Sequence, residues 1–129
     1  MKDAMAPAAL PRSRILVVED EFLIAAMVKD MLSDLGYECL GPITTMEAGV
    51  VAAATGEFEG AIINLLIQGR HAYAIVEILA SRGIPFCFAS GLTKQDVSEA
   101  WRDRPFLMKP YALADVRDFL LGNLPAFRP

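Results

Sequence analysis

The amino-acid sequence predicts an α/β domain built on a doubly wound, five-stranded parallel sheet flanked by five helices. Three observations carry that prediction. Short, branched, wholly apolar runs such as Ile15-Leu16-Val17-Val18 and Ala61-Ile62-Ile63 lack the polar alternation of a half-exposed strand, so both of their faces are covered. These runs alternate along the chain with stretches whose apolar residues recur at helical spacing. The 129 residues are 54% hydrophobic, enough to bury one full core and too apolar for a disordered chain.

The first strand is read as Arg14–Val18. A helix over residues 21–35 follows, with Ile24, Met27, Val28, Met31, Leu32 and Leu35 as its apolar stripe and Gly36 at its left-handed cap. Phe22 and Ala25 fall off that stripe. A second strand over residues 37–41 is ended by Pro42. Thr44-Thr45-Met46-Glu47 has the spacing of a capping box and opens a second helix running to residue 54. The third strand is Gly60–Asn64, the third helix covers residues 72–82 before Gly83, and the fourth strand covers residues 84–89. Thr93-Lys94-Gln95-Asp96 caps a short fourth helix that reaches Trp101. Phe106–Met108 is a short fifth strand, and a last helix over residues 113–121 meets stop signals at Gly122 and Pro125. With this many units, the flavodoxin-like strand order 2-1-3-4-5 is the economical arrangement. The expected organisation is a disordered leader over residues 1–13, one domain over residues 14–123 and a tail over residues 124–129, with no internal repeat.

Composition removes several function classes. A net charge of -4 argues against nucleic-acid binding, which normally needs a basic stripe. No apolar run is long enough to span a bilayer, and the Ala-Pro-rich start is too short for a signal peptide. Cys39 and Cys87 both fall in strands and are expected to be buried, reduced thiols.

In a doubly wound sheet the functional site lies at the carboxyl ends of the strands, at the point where strand order reverses. Here that point lies between the first and third strands. Glu19-Asp20 follows the first strand, and Asn64 ends the third. Ser90-Gly91 and Lys109-Pro110 follow the fourth and fifth on the same edge. Taken singly, each has a plain structural reading: a helix-capping acid pair, a loop-bonded amide, a turn serine and a surface lysine. Four in register at four strand ends are a stronger signal.

Together these segments resemble the receiver domain of bacterial two-component response regulators, over about residues 14–121. The run Ile84-Pro85-Phe86-Cys87-Phe88-Ala89-Ser90-Gly91, with Val17-Val18-Glu19-Asp20-Glu21-Phe22 and Arg104-Pro105-Phe106-Leu107-Met108-Lys109-Pro110, is similar to the Phe-Ala-Thr-Gly subgroup of alphaproteobacterial receivers. The resemblance implies a site in which the residue at position 64 is an aspartate that accepts a phosphoryl group from a histidine kinase. It implies Mg²⁺ held by Glu19, Asp20, the acceptor and the backbone carbonyl of Leu66. Ser90 matches the switch hydroxyl and Phe106 the switch aromatic. Lys109 matches the lysine that pairs with acceptor and phosphate, ahead of a proline that is often cis. A phenyl ring at 106 should prefer the buried pose.

This chain departs from the pattern where the chemistry would occur. Asn64 carries a neutral amide whose delocalised lone pair cannot attack phosphorus. Losing that negative charge also leaves Mg²⁺ binding weak or absent, so no cofactor is expected. The ammonium of Lys109 is then expected beside Asp20, Glu19 and the Asn64 amide oxygen, holding the site closed. The family's proline four residues past the acceptor is replaced by Gln68, followed by Gly69-Arg70-His71, so the loop at the site mouth is altered as well. His71, the only histidine, is expected to be solvated.

The expected function is that of a stand-alone, non-enzymatic pseudo-receiver in the bacterial cytoplasm. It would act in phosphorelay signalling through phosphorylation-independent binding to a histidine kinase or another regulator. Self-association into a homodimer is left open. Phe22 and Ala25 on the first helix, or an exposed Trp101, would serve as anchors, although core filling is the favoured reading of Trp101. The alternative is a conventional phospho-accepting receiver whose acceptor Asp has been substituted to Asn64, although a single substitution would not also rewrite the loop at Gln68. A flavin protein is disfavoured, because Glu19-Asp20-Glu21 stands where a phosphate-binding loop would be needed.

Overall fold

A computed structural model describes residues 13–124. The leader and tail expected at the two ends lie almost entirely outside the described residues. The main sheet is parallel, with five strands: β1 (Arg14–Val18), β2 (Glu38–Ile43), β3 (Gly60–Asn64), β6 (Phe86–Ser90) and β7 (Phe106–Met108). Their order is β2-β1-β3-β6-β7, the flavodoxin-like arrangement expected. Four α-helices flank it: α1 (Phe22–Asp34), α2 (Met46–Thr55), α3 (Tyr73–Ser81) and α4 (Leu113–Asn123). Two short strands, β4 (Leu66–Ile67) and β5 (Arg70–His71), form a separate antiparallel hairpin after β3.

Successive residues of a strand point to opposite faces, and the core divides accordingly. From β1, Leu16 and Val18 join Ile63, Ile75 and Leu79 on the face covered by α2 and α3. Ile15 and Val17 join Ile62, Val28, Leu32 and Phe119 on the face covered by α1 and α4. Every residue of β3 and β6 is buried, as the apolar runs predicted. Each fully buried Ile or Leu contributes about 1.5–3 kcal/mol of transfer free energy. That anchorage fixes where the polar residues at the strand ends emerge. Among the described residues no helix is long and apolar enough to cross a membrane.

Five expectations are corrected. The fourth helix is absent: residues 93–101 form two 3₁₀ turns, Lys94–Asp96 and Glu99–Trp101. Val97 is the only large apolar residue between 93 and 100, so no stripe exists to hold an α-helix. It is instead buried through an extended backbone between the turns. Pro42 does not end β2. It sits in an edge strand at a bulge, where Gly41 and Pro42 together face Val17. The capping threonine of α2 is Thr45, whose side chain accepts from the Ala48 N–H at 3.2 Å, so Glu47 is one position short of closing a box. Ala25 is buried inside the α1 stripe, while Phe22 is 80% exposed. Trp101 is half-buried against Phe86, with the Arg104 guanidinium over its ring, in keeping with core filling rather than an exposed anchor. Both cysteines are free thiols, but only Cys87 is buried as expected; Cys39 is half-buried because it lies in β2, at the edge of the sheet. Burial raises both thiol pKa values, Cys39 to about 11.

Candidate functional site

The carboxyl ends of β1, β3, β6 and β7 converge on one cleft of about 280 Å³, lined by Asp20, Asn64, Leu66, Ser90 and Lys109 among others. Backbone bonds set its floor. The Glu19 N–H donates to Ile43 O at 2.8 Å, extending the β1–β2 pairing past the bulge. Leu65 N–H donates to Ala89 O at 2.9 Å, and Lys109 N–H donates to Ser90 O at 2.8 Å. With the pairing of Val18 and Ile63 between β1 and β3, these bonds lock the strand ends in register before any side chain is considered.

Asn64 is 7% exposed, and its amide nitrogen is the hub. Nδ2 donates to Glu19 Oε2 at 2.9 Å and to Asp20 Oδ1 at 3.0 Å. An amide NH₂ has two hydrogens to give, and two carboxylates take them. The other oxygen of each acid is also engaged. Lys109 Nζ lies 2.9 Å from Glu19 Oε1, and the Gln68 N–H donates to Asp20 Oδ2 at 2.8 Å. Lys109 reaches Glu21 Oε1 as well, at 2.9 Å. Its partners are therefore Glu19 and Glu21. The expected contacts with Asp20 and the Asn64 oxygen are not made, because the amide turns its nitrogen toward the acids and Asp20 is held by Gln68. Burial of Glu19 raises its pKa, with the Lys109 and Glu21 N–H hydrogen bonds opposing the shift. Burial works to lower the Lys109 value, but its hydrogen bonds to Glu19 and Glu21 outweigh this and hold it above the ordinary range.

Ser90 is 4% exposed, and its Oγ accepts from the Leu92 N–H at 2.9 Å. The Lys109–Pro110 peptide is cis. Phe106 pairs with Phe88 in the β6–β7 register and is half-buried against the α2–α3 core, less enclosed than expected and outside the cleft lining. His71 is exposed, as expected, but it stacks on Tyr73 with ring centroids 5.1 Å apart. The sequence reading missed Glu21 as a lysine partner, although its place beside Glu19-Asp20 could have suggested it. It also missed the bond from the Gln68 backbone. No side-chain pattern signals a main-chain donor.

No family model matches the chain. It is 30% identical over 115 residues to the transcriptional regulatory protein PdtaR of Mycobacterium tuberculosis, covering 86% of this chain and 56% of that protein. The chain thus spans about half the length of the curated relatives it matches. The solution structure of SdrG from Sphingomonas melonis Fr1 superposes with a TM-score of 0.76 at 35% identity, covering 84% of this chain and 93% of that one. The chain belongs to the response regulator receiver-domain family. A CheY-like receiver domain from Methylobacillus flagellatus shares the fold at 22% identity, with a TM-score of 0.75 over 87% of this chain and 98% of that one.

Receiver domains are associated with Mg²⁺, and the residues present here do not fit it. A hard cation needs oxygen ligands that converge. The point between Glu19 and Asp20 holds a nitrogen that donates hydrogens. Among the described residues no three His, Cys, Asp or Glu side chains converge as metal ligands. Leu66 lines the cleft as expected, but its carbonyl would have no acceptor carboxylate to act with.

Proposed function

We propose that this receiver domain is a pseudo-receiver that signals without aspartyl phosphorylation, by binding a protein partner. The bridging amide of Asn64 carries the reading. In place of a nucleophilic carboxylate, the strand end presents a group that satisfies Glu19 and Asp20 directly. Its lone pair is delocalised and its charge is zero, so no phosphoryl acceptor exists at that position. The module is read as non-enzymatic, bacterial and cytoplasmic, and the run Phe88-Ala89-Ser90-Gly91 supports the Phe-Ala-Thr-Gly subgroup.

A histidine kinase or another signalling regulator is the favoured partner. Phe22 and Leu23, 80% and 79% exposed on the first turn of α1, lie next to the Glu21–Lys109 pair and offer an apolar contact at the rim of the cleft. SdrG is known in a BeF₃-activated conformation, in a structure 36% identical to this chain, so the reagent supplies a direct test. Amide NMR spectra of the native chain, titrated with beryllofluoride and Mg²⁺, are expected to stay unmoved at Ser90 and Lys109. Saturable shifts at those two residues would show that the cleft still takes a phosphoryl mimic.

A further inference from the structure

The altered loop after β3 is a built element with contacts at both ends. Its turn residues Gln68 and Gly69 have φ of 51° and 80°, the pair of positive values that a two-residue type I′ hairpin requires. Glycine takes such angles freely, but glutamine does so at a cost. The Gln68 N–H is bonded to Asp20 Oδ2 at 2.8 Å in this conformation. The base of the hairpin is closed by the Ala72 N–H on Leu65 O at 2.9 Å, and Ile67 is fully buried. At the far end His71 stacks on Tyr73, with interplanar angle 18°. The Tyr73 hydroxyl in turn accepts the Ser98 N–H at 2.8 Å, and the Tyr73 ring meets Phe88 edge-on. Ser98 lies between the two 3₁₀ turns that replace the expected helix.

We propose that the hairpin formed by β4 and β5 is a latch that couples the acidic pocket to the 3₁₀ segment over residues 94–101. Closed, it joins Asp20 to Ser98 through Gln68, the hairpin, His71 and Tyr73. Gln68 stays in its strained conformation only while Asp20 accepts its N–H. Anything that draws the Asp20 carboxylate away removes that restraint, and the turn relaxes. The relaxation shifts His71, frees the Tyr73 ring from its stack, and loosens the hydrogen bond to Ser98. The segment is suited to respond, because its apolar hold comes down to Val97, which is buried, and Trp101, half-buried against Phe86 at its far end. Coupling between two sites is reciprocal, so a protein that grips the 3₁₀ segment would also alter the pocket. The latch does not depend on whether residue 64 takes phosphate.

Amide hydrogen exchange by NMR tests this on the full chain, with the buried strand residue Ile63 as reference. In Asp20→Ala, the Ser98 amide is expected to exchange roughly threefold or more faster relative to Ile63. In Tyr73→Phe, which keeps the ring and loses the hydroxyl, the Gln68 amide is expected to accelerate in the same way. The latch is overturned if each variant speeds only the amide that lost its own acceptor. Where Asp20→Ala loosens Ile63 to the same degree, urea unfolding of both single variants and the double variant decides instead. A combined loss smaller than the sum supports the latch, and strict additivity overturns it.

Discussion

At the scale of single residues, the site turns on what Asn64 gives to its neighbours. Two buried or half-buried carboxylates need donors, and its NH₂ supplies one hydrogen to each. Asn64→Asp removes both donors and sets a third carboxylate about 3 Å from the other two. The variant is expected to lose about 3 kcal/mol of unfolding free energy in EDTA, and to regain much of it with millimolar Mg²⁺. Urea titrations with and without the metal check this, and equal stability in both would contradict it. Lys109→Met leaves Glu19, 2% exposed, without its cation. A loss of about 3 kcal/mol is expected there, nearly all from Glu19, because Glu21 is largely solvated. Tyr111 points the other way. Its hydroxyl is buried with no hydrogen-bond partner among the described residues, so Tyr111→Phe should raise stability by about 1 kcal/mol, readable as an increased melting temperature. The sequence made Glu19, Asp20, Asn64, Ser90 and Lys109 legible as one site because each follows an unmistakable apolar run. It did not reveal which oxygen meets which donor. Asp20 and Glu21 are adjacent acids, and only the turn of the chain after β1 decides that Lys109 meets Glu21.

At the scale of elements, two local conformations position the site. The bulge in β2 brings Ile43 O to the Glu19 N–H, and Gly41 makes it possible with φ of 112°. A Cβ there would lie 2.6 Å from Ile43 N and 2.8 Å from Val17 O, both backbone atoms that cannot swing aside. Gly41→Ala is therefore expected to cost about 3 kcal/mol or more in urea unfolding, and to perturb the Glu19 amide resonance. A loss below about 0.5 kcal/mol would mean that the bulge is not required. The strands β1, β3 and β7 were legible to the residue because their apolar runs end abruptly in polar groups. The hairpin was not. Two residues per strand carry no periodicity, and Gln-Gly lacks the Asn or Asp that usually marks a type I′ turn. The 3₁₀ segment was misread for a related reason. Thr93 and Asp96 do bond as a cap, with the Thr93 N–H donating at 2.8 Å, but no apolar stripe follows to continue a helix.

At the scale of the whole molecule, a parallel sheet buried on both faces leaves its carboxyl edge as the place where polar groups gather. Ionisation ties that edge to global stability. Lys109 is held above its ordinary value of 10.5, so its pair is fully effective below that pH and is lost as pH rises through the folded value. Tyr37 and Tyr111, raised from 10.0 by burial, act in the same direction, since the unfolded chain releases their protons first. Unfolding free energy should fall steadily above about pH 10, and less steeply in Lys109→Met. The fold class was legible because alternating apolar runs and amphipathic stretches repeat over the whole chain. The proposed function rests, at this scale, on a single missing carboxylate. Its most direct test is the intact mass of the native chain after incubation with acetyl phosphate and Mg²⁺, with Asn64→Asp in parallel. No phosphoryl adduct is expected on the native chain, and little on the variant, because Gln68 still holds Asp20. A stable adduct on the native chain would contradict the account, since another residue, such as Asp20, would then be accepting phosphate.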